Sequence, residues 1–144
     1  MQIEYLIIFL PLLGSIISGF FGNKLGDKFS VILTSFFVAI STVLSFIIFY
    51  KVINYNYSNL LYVAKWIDSG SLIVNWTINI DTLSAIMLVV VCLISCLVHI
   101  YSIGYMSKDP HKPRFMSYLS LFTFSMLTLV TADNFLQLFF GWEG

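Results

Sequence analysis

No charged side chain interrupts the chain between Glu4 and Lys24, between Lys28 and Lys51, or between Arg114 and Asp133, and from Asp81 to Lys108 the one interruption is His99. Apolar runs of this kind cross a hydrocarbon layer about 30 Å thick as helices of roughly 20 residues, because a helix pairs its own backbone groups where water cannot. The 144 residues are 59% apolar, 17% aromatic and only 10% charged, well outside soluble averages. The expected class is an all-α polytopic membrane protein, one domain over residues 1–144, with no separate water-soluble unit. A formal net charge of zero leaves no basic field for nucleic acid.

Four complete transmembrane helices are predicted, at residues 5–22, 31–50, 83–106 and 115–130, followed by the first half of a fifth at 134–144. Pro11 lies in the first of them, where Gly14, Ser15, Ser18 and Gly19 let a neighbour approach closely. Ser30 is the expected N-cap of the second. The first span reads as a retained helix, since Met1-Gln2-Ile3-Glu4 lacks the positive start of a signal peptide, and Glu4 is expected near the membrane surface. On the fifth, Glu143 follows Asn134 by nine residues and so lies about 13 Å deep. A chain ending there would strand carbonyls and a carboxylate in lipid, so the sequence reads as the front part of a longer protein.

Loop charges orient the spans. The first turn carries Lys24 and Lys28, and the turn before the fourth span carries Lys108, Lys112 and Arg114, which puts both on the positive, inner side. The N-terminus, the long segment from Lys51 to Asp81 and the turn Thr131-Ala132-Asp133 then face outward. Within that segment Leu72, Val74, Trp76, Ile78 and Ile80 alternate with Ser71, Asn75, Thr77 and Asn79, a period of two that only Ile73 disturbs, and Asp68-Ser69-Gly70-Ser71 has turn chemistry. A β-hairpin pairing residues 61–66 with 72–80 is expected over the helix ends. The competing expectation is an irregular loop anchored by Trp66 and Trp76 at the interface.

Glu143 is the candidate for chemistry, because a carboxyl inside a span costs on the order of 2.5–3.5 kcal/mol and is kept mainly at ion or proton sites. The bland reading is a neutral carboxyl in a helix contact. His99 continues a stripe of Cys92, Ser95, Cys96 and Ser102 at helical spacing, first a small polar packing face and second a proton relay. Asp81 and Asp133 precede spans and read as interfacial capping residues. Cys92 and Cys96 share a helix face but read as packing residues, not as a disulfide or metal pair. No phosphate loop or Ser/His/Asp constellation is present in the sequence.

Two stretches carry a specific resemblance. His99-Ile100-Tyr101-Ser102-Ile103-Gly104-Tyr105-Met106, and the run from Tyr118 through Ala132-Asp133-Asn134-Phe135-Leu136-Gln137-Leu138-Phe139-Phe140-Gly141-Trp142-Glu143-Gly144, closely resemble the large antiporter-like subunit of respiratory NADH:quinone oxidoreductase (complex I). That is the subunit called L in bacteria and chain 5 in mitochondria. Phe9-Leu10-Pro11-Leu12-Leu13-Gly14-Ser15 and Asp81-Thr82-Leu83-Ser84 look like the same family. Cation/proton antiporter subunits share the architecture, yet the ending Gly141-Trp142-Glu143-Gly144 looks like the respiratory subunit.

The resemblance implies a membrane-arm subunit with many further helices, whose fifth helix carries a glutamate, here Glu143, paired with a lysine on a later helix to gate proton movement. It implies no cofactor, metal or NADH site in this chain, and as partners the lipid bilayer, the other membrane-arm subunits and the rest of the same subunit. The membrane would be a bacterial plasma membrane or the mitochondrial inner membrane. Two other functions stand beside it: a monovalent cation/proton antiporter subunit, and a non-transporting structural or assembly segment from a split gene.

Overall fold

The structure, a computed structural model, describes residues 3–55, 57–70 and 72–144, and within these every side chain except those of Asn23 and Leu25. Helix α1 covers Ile3–Leu25 and α2 covers Asp27–Tyr55. Gly26 alone reverses the chain between them at φ 88°, a left-handed conformation open to glycine. Helix α2 overruns the predicted span at both ends, since its first and last turns leave hydrocarbon and can carry Asp27, Lys28 and Lys51. Ser30 is therefore not a cap. It is buried inside the first turns of α2, where its hydroxyl meets that of Ser18, and Ser18 also donates to the carbonyl of Pro113 at 2.8 Å.

Helix α3 covers Thr82–Tyr105 and α4 covers Lys112–Val130, joined by a short turn in which Asp109 Oδ1 accepts from the His111 N–H at 2.6 Å. Pro113 opens α4 where its missing N–H is not needed. Helix α1 packs against α2 and α4, α3 packs against the same two, and α2 and α4 also meet each other, so the four close into a bundle. Three of them, α1, α2 and α3, are long and apolar enough to cross a membrane; α4 is shorter and more polar. Helix α5, Phe135–Glu143, turns back onto α4.

The outer segment is a hairpin. Strand β1, Asn59–Ser69, pairs antiparallel with β2, Leu72–Ile80, from Asn59 opposite Ile80 to Ser69 opposite Leu72, which excludes the irregular-loop reading. Gly70 turns it at φ 57°, while Ser71 of the expected turn lies outside the described residues. Register slips at Val63 and at Trp66 in β1 leave β2 in regular alternation. Leu61, Ile78 and Ile80 are thereby directed into one apolar layer with Ile7 and Ile8 of α1, Ile48 and Val52 of α2, Ala85 and Leu88 of α3, and Leu127 of α4. The sheet is a lid on the helix ends.

Away from that layer the bundle is polar inside and apolar outside. Ser15, Ser18, Ser30, Thr34, Ser41, Ser45, Ser117, Ser120 and Thr123 are buried, while Phe20, Phe36, Ile94, Leu97 and Phe122 are exposed. A lipid-facing bundle is built this way, since lipid solvates leucine as well as a core does and helices associate through small residues and hydrogen bonds. Among the described residues one buried hydroxyl, Ser41 Oγ, has no partner.

Several glycines mark close approach, two of them against opposite ends of α4. A Cβ on Gly22 would lie 2.5 Å from Pro113 Cβ, and one on Gly141 would lie 2.7 Å from the backbone nitrogen of Leu129. Gly141→Ala is thus expected to destabilise the protein by about 1–3 kcal/mol, the usual cost of overpacking. Gly104→Ala meets nothing within 4 Å and should gain about 0.5–1 kcal/mol from helix propensity. Thermal unfolding of both variants in lipid nanodiscs tests this, and equal responses would rule out the close contact of α5 with α4.

Candidate functional site

Helix α5 carries the candidate carboxyl, and its placement starts at the cap. Asn134 adopts extended backbone angles, φ −139° and ψ 157°, and its side-chain oxygen accepts from the Gln137 N–H at 2.9 Å. The cap is therefore Asn134 and not Asp133, whose side chain is exposed at the turn. The reason lies in the second half of the amide: Asn134 Nδ2 donates to the carbonyl of Asn75 at 2.9 Å, a bond no carboxylate can make.

One turn later Gln137, wholly buried, pairs with the backbone of β2. Its Oε1 accepts from the Thr77 N–H at 3.1 Å, and its Nε2 donates to the Thr77 carbonyl at 2.7 Å. The Asn79 N–H bonds the Thr131 carbonyl at 2.9 Å. Asn75, Thr77 and Asn79 lie two apart, so these bonds run down one edge of β2, the edge facing away from β1. Phe140 meets Trp66 and Trp76 edge to face with ring centres 5.9 and 5.0 Å away. Glu143 follows on the last turn, exposed, and no lysine or arginine among the described residues pairs with it.

His99 is fully buried in the seam between α3 and α4. Its Nδ1 lies 2.8 Å from the Ser95 carbonyl, which can only accept, so Nδ1 carries the proton and Nε2 accepts from Ser120 Oγ at 3.1 Å. Ser95 and Thr123 bond beside it. From the same stripe, the Cys92 carbonyl accepts from Thr42 Oγ1 at 3.0 Å, and both Cys92 and Cys96 are free thiols.

Asp81 is the N-cap of α3, accepting from the Ser84 N–H at 2.7 Å while Ser84 Oγ accepts from the Asp81 N–H at 2.7 Å. The Ser84 N–H holds its carboxyl below the usual range. A lowered folded-state value means that the cap's contribution is complete above the ordinary carboxylate range and is lost as pH falls through the lowered one. Glu143, His99, Asp81 and Asp133 do not converge, since no hydrogen bond or ion pair among the described residues joins any two of them. A cavity of about 620 Å³ between α1 and α4, beside the α3–α4 turn, lined by Ser15, Ser18, His111, Arg114 and Ser117, includes none of the four.

Two participants escape sequence reading. Glu4, expected near the membrane surface, is 5% exposed and accepts from the Tyr57 hydroxyl at 2.6 Å, a bond that raises the Tyr57 phenol above its usual value. Gln137 had a signal, as the one side-chain amide in an otherwise apolar helix after its cap. Its partner is main chain and left none. Among the described residues no group of three or more His, Cys, Asp or Glu side chains is arranged to hold a metal.

A family model for the N-terminus of NADH-ubiquinone oxidoreductase (complex I) chain 5 matches residues 66–116. NADH-ubiquinone oxidoreductase chain 5 of Arabidopsis thaliana is 56% identical over 139 residues, covering 96% of this chain and 21% of the relative. The Triticum aestivum protein of that name is 55% identical over 139 residues and the Phytophthora infestans one 53% over 138, each with the same two coverages. The chain spans about a fifth of the length of these relatives. With identity of this order along nearly all its residues, the chain matches the N-terminal region of NADH-ubiquinone oxidoreductase chain 5.

Proposed function

We propose that this chain supplies the opening helices of the proton-translocating membrane-arm subunit of NADH:quinone oxidoreductase, which couples electron transfer in other subunits to proton movement. The observation that carries the reading is α5: a helix bearing Glu143, held flush against α4 by Gly141, in a chain 56% identical to chain 5. In this reading α4 is a fourth complete span and α5 the first half of a fifth. The membrane is the mitochondrial inner membrane, with the N-terminus and hairpin on the intermembrane side and the basic turns in the matrix.

Along α5 the rise is about 1.5 Å per residue, so Glu143 lies about 13 Å from the Asn134 cap, where an ionisable group is expensive and kept for use. Its role is to take up and release a proton. A cation brought near a carboxyl favours the charged form and its withdrawal favours the acid, which is the part a lysine on a later helix of the same subunit would play. His99 serves packing, since both its ring nitrogens are occupied within the α3–α4 seam and a relay would need one to exchange partners. The partners are the remainder of the subunit and the other membrane-arm subunits, and the chain contributes no cofactor of its own.

Single cysteines at Ser58 and Ser107 should react with an impermeant thiol reagent from opposite faces, Ser58 from the intermembrane side; reaction of both from one face would break the span count. In the full-length subunit assembled in complex I, Glu143→Gln should lower the protons moved per NADH oxidised well below the parental value. Asp68→Asn, on the exposed hairpin tip, should leave it parental. If Glu143→Gln pumps like the parent at equal assembly, Glu143 is a packing carboxyl.

A further inference from the structure

We infer that Gln137 is a positioning residue for Glu143: by pairing with the Thr77 backbone it locks α5 to the edge of the outer hairpin and fixes the direction in which the Glu143 carboxyl points. The inference rests on the reading of Glu143 as a proton site and adds how that site is held.

Helix α5 is seated on α4 and on the hairpin, and these tertiary contacts set how it is rotated about its axis. Gln137 and Gly141 of the helix and its C-cap residue Gly144 share one face at steps of four and three. Gln137 is tied to Thr77 by two bonds, Gly141 presses on the Leu129 backbone, and a Cβ on Gly144 would meet Ser125 Oγ at 2.5 Å. Glu143 stands about 100° around the axis from Gly144, so whatever fixes the packed face fixes the carboxyl. The glycines set only the distance to α4, because a surface without side chains permits rotation and sliding. Gln137 is the directional contact: a planar amide matched donor to acceptor and acceptor to donor with one peptide unit. Phe140, packed on the mutually contacting Trp66 and Trp76, closes the hairpin side of the helix.

The test uses the full-length subunit in assembled complex I, reconstituted in vesicles, with Gln137→Met keeping length and burial while removing both polar groups. Hydrogen exchange at the Thr77 amide should speed by roughly tenfold, the loss of one amide bond. The carboxyl stretching band of Glu143, identified in infrared difference spectra by its disappearance in Glu143→Gln, should shift in Gln137→Met, and the protons moved per NADH should fall while assembly and NADH oxidation persist. A packing residue with no hold on Glu143 would leave that band in place. If Gln137→Met does not assemble, Asn134→Ser keeps the helix cap and removes only the bond to Asn75, and a smaller shift in the same band is expected. Unchanged Thr77 exchange, or faster exchange with parental band and proton count, overturns the inference while Glu143 stands. A parental proton count in Glu143→Gln overturns the proton-site reading and this inference with it.

Discussion

A peptide group carried to the edge of hydrocarbon must find its partner inside the protein, and this constraint is sharpest at the outer edge of β2. A two-stranded sheet leaves two edges unpaired, and in lipid or against it each open N–H or carbonyl costs several kcal/mol. Here the edge facing α5 is closed by three different devices in sequence order: a cap side chain at Asn75, a glutamine amide at Thr77 and a main-chain carbonyl from Thr131 at Asn79. Together they act as a third strand without being one. The other edge, on β1, is disturbed instead by its two register slips, a common way of blunting a strand against further pairing.

The same constraint turns the helices inside out. With lipid on the outside, burial of apolar surface does not distinguish one helix contact from another, and each interhelical hydrogen bond contributes only about 0.6 to 2 kcal/mol. What specifies the arrangement is where backbones can approach. Gly22 against Pro113 brings α1 and α4 together at the inner end, where Ser18 bridges to both Ser30 and the Pro113 carbonyl. Ser15 and Ser117 bond each other one turn further along. His99 does similar work between α3 and α4, so a residue that is costly in lipid is doubly bonded and part of the packing.

Much of this was legible in the chain because charge and periodicity are local signals. The charge-free runs gave the helices, and alternation from Leu72 to Ile80 gave the second strand with its boundaries. The errors came where two adjacent residues compete or where the partner is distant. Asp133 and Asn134 can both cap a helix, and only the neighbouring Asn75 carbonyl, which needs a donor, makes the choice. Ser30 suits an N-cap by type, but Gly26 lets α2 begin earlier and turns Ser30 inward to Ser18. Glu4 is buried by Tyr57, 53 residues away, and nothing near Glu4 foretells that contact. Glu143 stood out by the cost of a carboxyl in a span, whereas Gln137 takes its meaning from a backbone that any sequence would have supplied.

The hairpin and α5 support each other. An isolated two-stranded hairpin is marginal in water, and α5 takes its rotation from the strand it meets. Each supplies what the other lacks: α5 and its cap satisfy the open edge of β2, and β2 together with the tryptophans holds α5 at one rotation. The hairpin in turn is seated by Leu61, Ile78 and Ile80 on the ends of all four long helices. A displacement of α1 or α3 at the outer surface therefore has a direct route to the helix bearing Glu143, through a sheet too small to absorb it. The hairpin thus belongs to the packing that holds the helix bearing Glu143.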